Sequence, residues 1–490
     1  MKLENVIGLE IHVQLKTKSK MFCSCSNKGE NEPPNTTVCP VCMAHPGTLP
    51  VPNGQAIEWS VKSALALNCE IPRHSKFDRK HYFYPDLPKA YQISQYDEPI
   101  GIKGHLGKVR IHRLHLEEDA AKLLHNDKGE SFVDFNRAST PLMEIVTEAD
   151  IRTPEEAGEF LRELRLIMRY LDVSEADMEK GHLRCDANIS LRPVGDKKFY
   201  PKTEVKNLNS FKAVERALAY EIKRQTEFWE EEGRAPEVQG TRGWDESQAK
   251  TIVQRLKEEA NDYRYFPEPD IPELDFAPDW VEKIKSELPE LPSDLRGRFI
   301  EQYGFNSIDA KIISQDRQLA SFIEKVVSEL LGWLESSSAE GSAEEIWEKN
   351  KAKLSKLVSG WVLSKLLGAL NKTGKSLQDI TAENMAELIT LVYQNKVNST
   401  NALAILEEVL EAGKNPTAVM ASKDLGQDSD QGGLEAVIDK IIADNPKQLE
   451  QYRAGKEAVF QYFVGQVMRQ TRGKADASAI QQILKNKLQN

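Results

Sequence analysis

The chain of 490 residues carries 65 Lys and Arg against 76 Asp and Glu, a formal net charge of −11. Its length suffices for about three domains. The acidic balance excludes a general polyanion binder held by bulk charge, but not a local basic surface, because phosphate contacts need only local cations. No apolar run approaches the roughly 20 residues of a membrane span, and the N-terminus lacks the charged-then-apolar pattern of a secretion signal, so a cytoplasmic protein is expected.

In chain order, Val6–Leu15 alternates Ile7, Leu9, Ile11, Val13 and Leu15 with Gly8, Glu10, His12 and Gln14, the period-two pattern of a half-buried strand. Cys23 and Cys25, then Cys39 and Cys42, form two close pairs around a proline-containing loop. Residues 77–92 interleave aromatics with Arg79, Lys80 and Lys89. That run suits stacking on a base or ribose, or equally an ordered loop packed by its tyrosines. Residues 113–122 place Glu117, Glu118 and Asp119 in a row. Helical spacing follows over Pro154–Leu171. Leu183–Arg192 alternates strictly, and Glu204 and Lys206 share one strand face. Lys212–Trp229 reads as a second amphipathic helix and Ser247–Glu259 as a third.

From about Pro292 helical periodicity dominates. Small polar stretches at 335–345 and 425–433 read as loops. Residues 368–376 imitate a phosphate loop but have five residues between the glycines where four are needed, and they follow a helical pattern. A turn between helices is expected there. Lys456–Arg469 puts Phe460, Phe463, Val464, Val467 and Met468 on one helix face, with Arg472 and Lys474 following. The expected fold is α+β: a mixed, kinase-like catalytic domain on a β-sheet (1–291), an all-α domain (292–408) and a small helical tail (409–490).

All nine histidines lie at or before His182 and all six cysteines at or before Cys185. Residues that carry metal and proton chemistry are therefore confined to the front half. Carboxylates on open strand faces suit Mg²⁺, which takes them together with phosphate oxygens and water. The plain alternative is a wet polar face. Without a secretion signal the cysteines point to metal or buried thiols rather than disulfides. Four thiolates at this spacing can close a structural Zn²⁺ site, or stand as reduced surface thiols. Cys69 and Cys185, in apolar contexts, read as small buried side chains.

Residues 6–22, 76–101, 115–122, 134–151, 183–193, 204–211 and 262–272 closely resemble the B subunits of heterotrimeric glutamyl/aspartyl-tRNA amidotransferases, and the resemblance runs on to the tail. It implies one member of a carbon–nitrogen ligase complex, which uses ATP to phosphorylate the side-chain carboxylate of Glu-tRNA(Gln) or Asp-tRNA(Asn). Ammonia, released from glutamine by an amidase-type A subunit, then displaces phosphate. A small C subunit completes the complex. The resemblance implies a Mg²⁺ site of Glu10, His12 and Glu118 with Glu117 nearby, extended by Asp186, Asn188 and Glu204, and Lys206 as a phosphate partner. It assigns structural zinc to Cys23, Cys25, Cys39 and Cys42. It assigns tRNA contacts to Lys456, Arg469, Arg472 and Lys474. Ala121 stands where the family usually has glycine, which would strain the loop if positive φ were needed. The rival readings are a non-catalytic, zinc-containing tRNA-binding scaffold and a self-sufficient amidotransferase. The latter lacks a convincing glutaminase nucleophile, since Cys185 falls on a buried strand face.

Overall fold

The computed structural model describes residues 2–256, 263–337, 342–426, 431–471, 475 and 477–489. The chain divides into two compact units, 1–292 and 293–490.

The first unit is built on strands β1 (Leu3–Gln14), β2 (His74–Ser75), β3 (Asp78–His81), β4 (Tyr91–Ser94) and β5 (Gly101–Leu106). These are followed by β6 (Val109–Glu118), β7 (Lys122–His125), β8 (Ser131–Asp134), β9 (Pro141–Thr147) and β10 (Leu183–Pro193). The last are β11 (Thr203–Leu208), β12 (Gly240–Asp245), β13 (Lys250–Leu256), β14 (Phe266–Pro267) and β15 (Leu274–Asp275). Eight of them form one sheet in the order β13-β12-β11-β10-β1-β9-β6-β5. β1 lies at its heart, antiparallel to both β10 and β9. A small sheet of order β14-β3-β4 accompanies it.

Alternation along β1 puts Ile7, Leu9, Ile11 and Val13 into the core, and each is at most 1% exposed. They join the apolar sides of α1 (Gly54–Ala66), α2 (Pro154–Tyr170) and α3 (Phe211–Glu232) in one cluster. Each such side chain contributes about 1.5–3 kcal/mol when fully buried. α2 starts where the sequence dictates. Thr153 and Glu156 form a reciprocal capping box and Pro154 takes the first turn. α3 is capped by Ser210 and ends on Gly233, whose φ of 66° suits a residue without Cβ. With helices on the apolar face, the polar residues of β1, β10 and β11 project from the other.

One expected element is different. Ser247 onward is not helical: Asp245 turns the chain through residues 246–249, and β13 pairs antiparallel with β12. The buried Glu221 of α3 holds this hairpin, accepting from Thr251 Oγ1 at 2.5 Å and facing Arg242 Nε at 3.3 Å. The end of the expected helix, 257–259, lies outside the described residues. α4 (Pro278–Ser286) closes this unit.

The second unit is helical among its described residues, as the periodicity predicts. α5 (Pro292–Glu301), α6 (Ser307–Ile313), α7 (Arg317–Ser337), α8 (Ala343–Ser359) and α9 (Leu367–Thr373) come first. Residues 360–366 link α8 to α9 with π-helical winding. α10 (Ala382–Tyr393) packs on α7 and α8, and also on α11 (Ser399–Ala412) and α12 (Pro416–Ser422). The resemblance to a phosphate loop dissolves here: Gly368 sits inside α9, and Gly374, at φ 68°, merely ends it. The expected loops at 335–345 and 425–433 are in part helix, and their centres, 338–341 and 427–430, lie outside the described residues. The tail is α13 (Gln431–Asp444), α14 (Pro446–Arg453), α15 (Ala458–Gln470) and α16 (Ala477–Gln489), around Ile438, Phe463, Val467, Ile480 and Leu484. No helix among the described residues is long and apolar enough to cross a membrane.

Candidate functional site

Strand register assembles the site on the open face of the large sheet. Glu10 pairs opposite Asp186, and His12 lies between Arg184 of β10 and Glu144 of β9. Glu144 in turn lies opposite His115 of β6. Asn188 sits between Gly8 and Glu204. The result is a carboxylate–imidazole cluster. His12 Nε2 is 3.4 Å from Glu144, 3.7 Å from Glu117 and 4.0 Å from Glu10. His115 Nε2 is 3.2 Å from Glu144 and 3.7 Å from Glu117. Two overlapping sets, Glu10–His12–Glu144 and His115–Glu117–Glu144, bring their donor atoms within 4.8 Å of one another, close enough to share a cation.

Charge is concentrated here in a way that burial alone would not tolerate. Burial would push the His12 imidazole down, but hydrogen bonding and charge from Glu144, then Glu117 and Glu10, raise it to about 9. His115 moves up against its burial for the same reason. Glu144 is held well below the ordinary carboxylate range, its burial outweighed by His115 and His12. Glu10 goes the other way: burial, and then Glu144, raise it. This cluster thus holds protons in exchange for charge balance. A divalent cation can replace them.

Two lysines flank the cluster. Lys206 bonds Asp186 at 2.5 Å and Glu204 at 3.1 Å, while Thr241 donates to Glu204 at 2.8 Å. On the other side the small sheet supplies Lys80, whose ammonium lies 5.1 Å from the Tyr263 ring centroid. Although burial opposes its charge, Glu117, Tyr265 and Glu144 raise its pKa. Residues 77–92 pack largely on themselves and on 263–268. Arg79 binds Glu268 through two nitrogens, at 2.7 and 2.8 Å, and covers Tyr91 at 4.5 Å. Phe83, at 87% exposure, and Tyr84, at 58%, remain open.

The three acids at 117–119 separate to different partners. Glu117 joins the cluster and accepts from Ser94 Oγ at 3.0 Å. Glu118, expected beside Glu10 and His12, is held elsewhere by Lys89 Nζ at 2.8 Å and the Ile93 amide at 3.0 Å. Strand alternation turns it away from Glu117's side. Asp119 pairs with Arg184 and accepts from Gln14 at 2.8 Å. Sequence reasoning misses two cluster members, Glu144 and His115. Signals for them exist: Glu144 is the one charge in the apolar run of β9, and His115 shares the alternation of Arg113 and Glu117. Ala121 is buried and donates its amide to Asp86 O at 2.9 Å, without positive φ, so it causes no strain.

Cys23, Cys25, Cys39 and Cys42 converge with their sulfurs within 4.8 Å of one another. Cys42 is lowered to about 5, first by its hydrogen bond with Cys23 and also by Lys20. The ammonium of fully buried Lys20 stands 3.8 Å from Cys42 Sγ. Cys23 is pushed up, first by its hydrogen bond with Cys42 and then by burial, and burial raises Cys25 to about 11. Four sulfurs at this separation fit a tetrahedral metal, which would displace the remaining thiol protons. Cys69 and Cys185 are buried; burial pushes Cys69 up to about 12 and Cys185 well above its usual range. In the tail, Lys456 and Arg469 are exposed at the two ends of the α15 region. Arg472 and Lys474 lie outside the described residues.

Residues 5–282 match the family described as the GatB/GatE catalytic domain, and residues 343–488 match the GatB domain. A relative from Carboxydothermus hydrogenoformans is 46% identical over 499 residues, covering 99% of this chain and 98% of the relative. One from Caldanaerobacter subterraneus subsp. tengcongensis is 46% identical, with all of both chains covered. One from Brevibacillus brevis is 44% identical over 99% of each. All three are named as B subunits of an aspartyl/glutamyl-tRNA(Asn/Gln) amidotransferase.

Proposed function

The chain belongs to the GatB/GatE family, and from that premise we propose that it is the part of a tRNA-dependent amidotransferase that activates the side-chain carboxylate of Glu-tRNA(Gln) or Asp-tRNA(Asn) with ATP. The observation that carries the reading is the convergence of Glu10, Glu117 and Glu144 on His12 and His115 across three strands of an open sheet face. A carboxylate is a poor acyl donor until one oxygen becomes a phosphate leaving group. In the first step that oxygen attacks the γ-phosphorus and ADP leaves. In the second, ammonia attacks the acyl carbon and inorganic phosphate leaves, giving the amide. Phosphoryl transfer needs charge neutralisation and alignment more than a protein nucleophile.

Glu10, His12 and Glu144 would hold Mg²⁺, with Glu117 in reach of the same imidazole. Bound there, Mg²⁺ would neutralise the phosphate charge that builds during transfer. Glu118, engaged with Lys89, moves from that ligand set to its border. Lys80 and Lys206 bring positive charge to either flank. Asp186 and Glu204 hold the Lys206 ammonium in place, and Asn188 borders Glu204 on the same face. Ammonia comes from glutamine through an amidase-type A subunit, with a small C subunit completing the heterotrimer. Cys23, Cys25, Cys39 and Cys42 hold one structural zinc. Metal analysis of the purified chain should find one equivalent, lost in Cys42→Ser; a metal-free wild type would remove the zinc assignment. Residues 1–291 form the activating part, 292–408 a helical spacer and 409–490 the part that contacts tRNA.

In a reconstituted complex, Glu10→Ala and Glu144→Ala should each suppress both ADP and amide formation by about 10²-fold or more. Unchanged rates would leave only a scaffold role.

A further inference from the structure

A lysine with no path to water stands beside the thiol tetrad. Lys20 is fully buried, at 0% exposure. Lysine is almost never buried so completely without a partner for its charge. Its ammonium donates to Phe135 O at 3.3 Å and to Cys42 Sγ at 3.8 Å. No carboxylate pairs with it among the described residues. The sulfur is therefore the partner that can carry a balancing negative charge. The backbone fixes Lys20 from both sides: its amide donates to Cys25 O at 3.0 Å, and its carbonyl accepts from Asn53 Nδ2 at 3.2 Å. Cys42 is also the one buried member of the tetrad, and the Cys39 amide donates to the same Sγ at 3.2 Å. The cysteine that water reaches least is thus the one given two donors.

Electrostatics gives this pairing a purpose. Four thiolates exceed the charge of one Zn²⁺ by two, and burying uncompensated charge is costly. An ammonium within hydrogen-bond range of one ligand offsets half of that excess and fixes how the sulfur presents its lone pairs. The bond to Phe135 extends the same cation beyond the tetrad. Phe135 follows β8, and its amide donates to Asn35 Oδ1 at 2.8 Å, while Asn136 Nδ2 donates to Pro33 O at 2.8 Å. The loop between the two cysteine pairs is thereby joined to residues 135–136, and Lys20 links those residues to the sulfur.

We propose that Lys20 is a positioning residue of the metal site, whose ammonium neutralises and orients the Cys42 ligand and so sets how tightly the tetrad holds zinc. The inference rests on the zinc assignment proposed above. Methionine keeps the unbranched stem of lysine without its charge, and a metal-free Cys42 thiol needs no counter-charge, so Lys20→Met should fold. The purified full chain, wild type and variant, is titrated with zinc against a chromogenic chelator. Lys20→Met should bind zinc about 10–100-fold more weakly than wild type. With cobalt in place of zinc, its sulfur-to-metal charge-transfer band should move to lower energy, because a sulfur without its donor gives up an electron more readily. A packing role alone would move neither readout, since methionine fills the same space. Zinc affinity within about twofold of wild type, or an unmoved band, therefore overturns the proposal. If Lys20→Met proves insoluble, Lys20→Gln carries the same test: it removes the charge, should also weaken zinc binding, and overturns the proposal if its affinity equals that of wild type. A wild-type chain that takes up no zinc would remove the zinc assignment itself, whereas a variant that holds zinc as tightly as wild type removes only the role of Lys20.

Discussion

His12 shows how the site stores charge. Its folded-state pKa of about 9 lies above the ordinary value of 6.5. A group raised on folding contributes stability that is fully present below the unfolded pKa and lost as pH rises through the folded one. The rise from 6.5 to about 9 corresponds to about 3 kcal/mol. Without divalent cations, the wild type should therefore exceed His12→Gln in thermal stability below pH 6.5, with the gap closing by pH 9. A gap independent of pH across that window would contradict the ion-pair geometry. At this scale the sequence was half legible. Glu10 and His12 stood out because alternation leaves polar residues on an otherwise apolar strand. Glu144 did not, because β9 is buried on both faces and its pattern reads as continuous core. Three adjacent acids at 117–119 could not be sorted from sequence, since the partners that engage them, Lys89, Ser94 and Arg184, lie on other segments of the chain.

The elements followed local rules where those rules were strong. β1 and β10 alternate cleanly, and α2 carries its own cap and proline. The hairpin of β12 and β13 escapes a sequence reading because residues 247–259 have helix-compatible composition and a spacing that a two-stranded edge also tolerates. Tertiary contacts decide it. Glu221, fully buried, binds Arg224 Nη2 at 2.7 Å and reaches across to Thr251 and Arg242. Its carboxylate is held below the ordinary range, burial being outweighed by Arg224 and then Thr251 and Gln225. Glu221→Ala should destabilise the protein by about 3–5 kcal/mol, because it strands a buried charge. Glu221→Gln should cost less. Chemical denaturation measures both, and equal, small losses would mean that the hairpin does not depend on this anchor.

Across the whole molecule, the confinement of histidine and cysteine to the first 185 residues foretold which unit carries the cluster and the thiol tetrad. Helical periodicity foretold the second unit, but not how its helices pack, which depends on contacts distant in sequence. The tail is where tRNA contact is proposed. Lys456→Ala and Arg469→Ala should each raise the KM for aminoacyl-tRNA with kcat unchanged, and each should lower the salt dependence of tRNA binding by about one unit of slope. An unchanged slope would place the tRNA elsewhere. The central claim, that this chain activates a carboxylate with ATP at the β1–β9–β6 cluster, is tested most directly without any ammonia source. The purified complex is given mischarged tRNA and ATP, and ADP is measured in the wild type and in Glu144→Gln. We expect ADP formation that requires the mischarged tRNA in the wild type and falls about 10²-fold in the variant. ADP formed at the same rate by both would contradict it.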